Sequence, residues 1–173
     1  AGLAASPDVE RIMAEKGCAA CKLVQHTLRG IDIDGANFTG ATLREADMKN
    51  AVLPNSDFSG GALQRTELEK ANLTGARFVK ANMRGVDLEK SNLSGADLSR
   101  ADLRDADVMQ ANLTGASLAD ADVRHATFRR ARLVDARFEK TMARDVDFER
   151  GDANGANCDG AGLEWSDCGR ASL

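Results

Sequence analysis

The chain has 173 residues, 27 acidic and 23 basic, for a formal charge of −4. That balance gives no reason to expect direct nucleic-acid binding, and no apolar run approaches the ~20 residues of a membrane-spanning helix. Length fits a single domain, and an aromatic content of 4 % points to a narrow interior.

The first residues, Ala1-Gly2-Leu3-Ala4-Ala5, carry no initiator Met, which is compatible with a mature secreted chain after leader removal. Ser6-Pro7 followed by Asp8 to Gly17 predicts a short helix. Ser6 would be the N-cap and Pro7 the first position, with acids in the first turn and Gly past the end. Its expected task is to cap a repeat stack, with Val9, Ile12 and Met13 covering Leu23 and Leu28. Cys18-Ala19-Ala20-Cys21 follows. The residues alone leave this pair open as a disulfide or buried thiols. A redox site lacks its βαβ element, zinc with His26 lacks a fourth ligand, and Lys22 stands where c-type haem attachment wants His.

From Ile33 to Leu173 every fifth residue is Ile, Leu, Met, Phe, Val, Ala or Cys, giving 29 consecutive centres that include all six Phe. Two residues before each centre stands a small or β-branched residue, as in Ala71-Asn72-Leu73-Thr74-Gly75. A period of five is neither 3.6 nor 2, so a helix or an alternating strand would scatter the centres over its whole surface. The chain must bend once per unit, with the centre and the small residue facing inward. Gly75, Gly95 and Gly115, two after a centre, mark turns that demand positive φ.

Units such as Ala46-Asp47-Met48, Ala96-Asp97-Leu98 and Ala101-Asp102-Leu103 resemble the A(D/N)LXX motif of the pentapeptide-repeat family, in a register from Cys21 to the C-terminus. The resemblance implies an all-β solenoid. It would be a right-handed quadrilateral β-helix with four pentapeptides per coil and about seven to eight coils, residues 21–173, preceded by a capping lead-in over 1–20. It also implies a disulfide between Cys18 and Cys21, as in secreted or lumenal members, and hence a periplasmic, secreted or lumenal location, the alternative being cytoplasmic. Some cytosolic members mimic duplex DNA and bind DNA gyrase, which is the rival functional reading.

Cys158 and Cys168 lie two units apart, on opposite walls of a four-sided coil, and are expected as free buried thiols. Trp165 falls at a turn near the C-terminus, where it could support an end-to-end homodimer. Positions twenty apart form surface columns. Arg44, Arg84, Arg104, Arg124 and Arg144, with Gln64 among them, make one column. Asp47, Glu67, Asp87, Asp107, Thr127, Asp147 and Asp167 make the next. The arginines read either as a ladder paired with those acids or as a stripe for an anionic partner. With only His26 and His125 as histidines, no nucleophile has a base that spacing brings near it. No cofactor or metal is implied. The sequence therefore points to a non-enzymatic scaffold that binds an unidentified protein through its sides.

Overall fold

The computed structural model describes residues 7–161, so the expectations placed on Ser6, Trp165 and Cys168 lie outside the described residues. Helix α1, Pro7–Glu15, opens the chain. Val9 and Ile12 are buried against the first coil, but Met13 is 41 % exposed and does not cover it as expected. A nine-residue helix turns one narrow face inward, and Met13 is a residue too far round. Past the helix, Gly17 N–H donates to Ile12 O at 2.8 Å and Lys16 N–H to Met13 O at 3.4 Å, with Lys16 at φ 54°. This is a Schellman closure in which lysine takes the left-handed position. Gly17 is required for another reason. A Cβ there would lie 2.3 Å from the carbonyl oxygen of Asn37, on the neighbouring coil.

Beyond α1 the chain is a ladder of isolated parallel bridges, each joining residues twenty apart, from Gly17↔Asn37 to Arg137↔Asn157. Four bridges and four turns occur in every twenty residues. Each side is a single bridged residue between two corners, so no extended strand forms among the described residues. We number the sides in chain order: side 1 stacks the units centred on Leu43, Leu63 and onward, side 2 those on Met48 and Leu68, side 3 those on Leu53 and Leu73, side 4 those on Phe58 and Phe78.

One unit, Ala46 to Asn50, shows how the backbone is satisfied. Ala46 N–H closes the corner onto Leu43 O at 3.0 Å, and Asp47 N–H reaches back one coil to His26 O at 2.9 Å. Met48 and Asn50 N–H reach forward one coil to Glu67 O and Glu69 O, at 2.8 and 3.0 Å. That leaves the Lys49 amide, which donates to Asp47 Oδ1 at 3.2 Å. The same bond recurs at Asp57, Asn72, Asp87, Asn92 and Asp97. Asp or Asn before the centre is thus the acceptor for the one amide that the ladder does not use. Where Val52 stands in that place and cannot accept, Pro54 follows with no N–H to satisfy.

At the corners the third residue has positive φ and, in most of them, the fourth residue donates to the first, the signature of a type II turn; Ala36 donates instead to Ser56 Oγ at 2.9 Å. All residues at this position from Ala20 to Gly160 have φ between 55° and 73°, and most are not glycine. Inward, the centres stack directly. Rings of Phe38 and Phe58 lie 5.3 Å apart, and those of Phe58 and Phe78 5.0 Å, nearly parallel. The buried hydroxyls of Thr66, Ser91 and Thr141 donate to backbone carbonyls at 2.7, 2.6 and 2.7 Å. The interior slot along Leu88, Leu93, Leu98 and Leu103 has no space for a water molecule, so ligands and partners must meet the outside.

Candidate interaction surface

Cys18 occupies a centre position and Cys21 the small position of the next unit, so both face inward around the first corner. They form a disulfide with Cα atoms 5.4 Å apart. A cavity of about 190 Å³ lies beside it, lined by Arg11, Ile12, Cys18, Cys21, Lys22 and Leu23. Cys158 is also disulfide-bonded, which overturns the free thiol expected there. That expectation rested on Cys158 as an inward, buried centre, but Cys158 is only partly buried, and Cys168 lies outside the described residues.

Side 1 carries the arginine column. Arg104 forms a two-pronged pair with Asp102, Nε to Oδ1 at 2.9 Å and the other prong at 2.6 Å. Arg124 does the same with Asp122 at 2.9 and 2.7 Å. Arg84 meets Asp105 at 3.3 Å, while Arg44 and Arg144 form no ion pair among the described residues. Their carboxylate partners are on the same side or its corner. The acidic column around the next corner instead pairs within side 2, Asp47 with Arg29 at 2.7 Å and Asp147 with Arg129 at 3.6 Å. Residues flanking one centre project together from a one-bridge side, and the corner turns the following unit away.

The hydrogen bond from Arg104 holds the Asp102 carboxyl below the usual carboxylate range. Burial pushes Asp122 up, but hydrogen bonds from the Arg124 guanidinium and amide outweigh it and its pKa falls. Side 2 behaves oppositely. Burial, then the neighbouring Asp107 carboxylate, raises Asp87, and burial, then Asp87, raises Glu69. Glu67, Glu69, Asp87, Glu89 and Asp107 form an acidic band in which one oxygen each of Asp87, Glu89 and Asp107 lie within 4.8 Å of one another. Lys49 reaches Glu67 and Glu69 only at 3.7 and 3.8 Å. His26 and His125 sit on different coils, and His125 contacts Asp145 at 3.6 Å at a corner. No helix among the described residues is long and apolar enough to cross a membrane.

No curated protein matches the sequence. Among solved structures the chain is similar to QnrB1, a plasmid-mediated fluoroquinolone resistance protein. The match has 17 % identity over 86 % of this chain and 90 % of that one, with a TM-score of 0.53. It also matches HetL, a pentapeptide repeat protein involved in heterocyst differentiation regulation from the cyanobacterium Nostoc, at 24 % identity over 97 % and 98 % of the two chains, TM-score 0.36. A pentapeptide repeat protein from the Arabidopsis thaliana thylakoid lumen matches at 28 % identity over 74 % and 68 %, TM-score 0.22. The family profile for pentapeptide repeats matches eight copies, over residues 21–60, 51–89 and 91–130. With the five-residue register, the twenty-residue bridge ladder and this profile in agreement, the chain belongs to the pentapeptide-repeat family.

Proposed function

We propose that the chain is a non-enzymatic scaffold of an oxidising compartment that binds a protein partner through its arginine side. In this reading residues 21–173 form a right-handed quadrilateral β-helix of seven to eight coils, and residues 1–20 cap it. The observation that carries it is the pair Arg104–Asp102 and Arg124–Asp122. Two guanidinium planes on successive coils are held in place by two-pronged contacts, with 36 % and 32 % of the Arg104 and Arg124 side chains still exposed. Arg44, Arg84 and Arg144 extend the stripe over the neighbouring coils. A partner with a row of carboxylates fits it by charge. The disulfide bonds at Cys18, Cys21 and Cys158 support the oxidising compartment.

Crosslinking in extracts of the native source, with wild type and an Arg104→Glu, Arg124→Glu variant, tests this reading. The partner captured by wild type is expected to be lost from the variant, and unchanged capture rejects the arginine side. A second reading draws on the acidic band of side 2, which supports a DNA-mimicking binder of DNA gyrase. It expects the purified chain to change DNA supercoiling by gyrase, and no effect at high protein excess rejects it.

A further inference from the structure

Within one chain the corner after side 1 keeps two matched columns apart. Arg44, Arg84, Arg104, Arg124 and Arg144 stand one residue after the centres of side 1, and Asp47, Asp87, Asp107, Thr127 and Asp147 one residue before the centres of side 2. Both columns ride on the same ladder of bridges, so they share one repeat of about 4.8 Å and one set of levels. Each column has charge to spare. Arg44 and Arg144 form no ion pair among the described residues, and Arg84 makes a single contact, with Asp105 at 3.3 Å. Asp87, Glu89 and Asp107 likewise form no ion pair among the described residues, and one oxygen of each lies within 4.8 Å of the others. The charges acting on Asp87 are those of Asp107, Glu89 and Glu67, so its own chain supplies repulsion there and no cation to offset it.

We infer that the arginine side docks on the acidic side 2 of a second copy of this chain, with the two tubes parallel and level. This rests on the arginine side and the four-sided section proposed above. Parallel tubes wind in the same sense, so two facing sides are traversed in opposite directions. The column after the centres of side 1 therefore meets the column before the centres of side 2. Level by level, Arg44 faces Asp47 of the second copy, Arg84 faces Asp87, Arg104 faces Asp107 and Arg144 faces Asp147, while Gln64 faces Glu67 and Arg124 faces Thr127. The remaining two columns meet in the same way. Asn82 opposes Glu89, Asp102 opposes Met109, and Asp122 opposes Arg129. Among the described residues only the first coil sets like charges opposite each other, Lys22 and Arg29, and Arg29 is held by Asp47 at 2.7 Å.

Other placements of the copy fit less well. A slip of one coil sets Asp102 against Glu89 in one direction and Asp122 against Glu149 in the other. Turned end for end, the copy would set the arginines against the column that holds Lys49 and Arg129. Two arginine sides repel each other, so the contact is head-to-tail: each copy offers side 1 to one neighbour and side 2 to another. Consecutive sides of a four-sided coil face a quarter turn apart, and a level contact adds no shift along the axis. Four copies therefore close a ring in which every arginine side is covered and every acidic side receives the cations that its own chain withholds.

Light scattering from the full chain at low salt tests this. Wild type is expected to be a tetramer that dissociates toward about 1 M salt, where the screening length falls to about 3 Å. Arg84→Glu with Arg104→Glu, and separately Asp87→Lys with Asp107→Lys, are each expected to raise the concentration needed for assembly at least about tenfold. Mixed one to one, the two variants regain opposite charges at every contact and are expected to form the tetramer again, alternating around the ring. That recovery separates lost pairing from damaged folding. A monomeric wild type overturns the inference, as do a dimer, an open-ended polymer, a tetramer that either variant keeps, or two variants with wild-type circular dichroism whose mixture stays monomeric. The arginine side itself is judged apart. A monomeric chain that captures a protein in extracts, and loses it through Arg104→Glu and Arg124→Glu, keeps the arginine side and gives it a different partner.

Discussion

Asp57 accepts the Ser59 amide at 2.9 Å, and this bond recurs at most of the units in which Asp or Asn precedes the centre, from Asn37 to Asn157. The residue preference of the repeat is therefore a hydrogen-bond requirement. Asp57→Ala leaves that N–H unpaired and is expected to lower stability by about 1 kcal/mol in urea denaturation. Val52→Asn is expected to add nothing, because Pro54 has no N–H to receive it. The charges make a separate prediction. Asp102 and Asp122 lie below their ordinary pKa, so they stabilise fully above the unfolded value near 4 and lose this as pH falls through their folded values. Asp87 and Glu69 lie above it, so their contribution is present below about pH 4 and lost as pH rises through the folded values. Asp87→Asn keeps the acceptor and removes the repulsion. It is expected to raise stability at pH 7 by about 0.5 kcal/mol, small because the site is open to solvent, and the gain should vanish in melts toward pH 4. Positions of these side chains were legible as columns. Which column pairs with which was not, because that depends on how sharply a corner turns neighbouring units apart.

The element scale is that of the corner and the cap. The sequence marked turns by their glycines, yet Lys90, Arg100 and Gln110 adopt the same left-handed conformation at 59°, 61° and 58°. Ladder hydrogen bonds on both sides of the corner impose it, overriding the local preference, so propensity alone could not find these positions. The helix was legible from Pro7 at its first position and from its length, but the role of Gly17 was not. Its small size answers the approach of Asn37, twenty residues away. Gly17→Ala is expected to cost more than about 2 kcal/mol and to loosen α1, seen as lost amide protection over residues 9–15 before the central coils open. The disulfide at Cys18 and Cys21 closes the neighbouring corner, and its reduction is expected to add to the loss.

At the scale of the molecule each coil touches only the coils before and after it, so stability is a sum over neighbours. Phe58→Ala breaks the stack of Phe38, Phe58 and Phe78. It is expected to cost about 3–5 kcal/mol, and hydrogen exchange should then divide the tube into two blocks with separate protection. An unbroken five-residue register made the tube itself readable from sequence, since one residue inserted anywhere would turn every later centre outward. The hydrogen-bond pattern carries one more consequence. In the unit from Ala46 to Asn50, two N–H groups point to the next coil and one to the previous, and the same count holds along the ladder. The surplus aligns four peptide groups per coil in one direction, so the tube is an electric dipole with its positive pole toward the C-terminal end. In a field, or beside an anionic surface, the molecule would be turned to present that end first, whichever side chains its faces display.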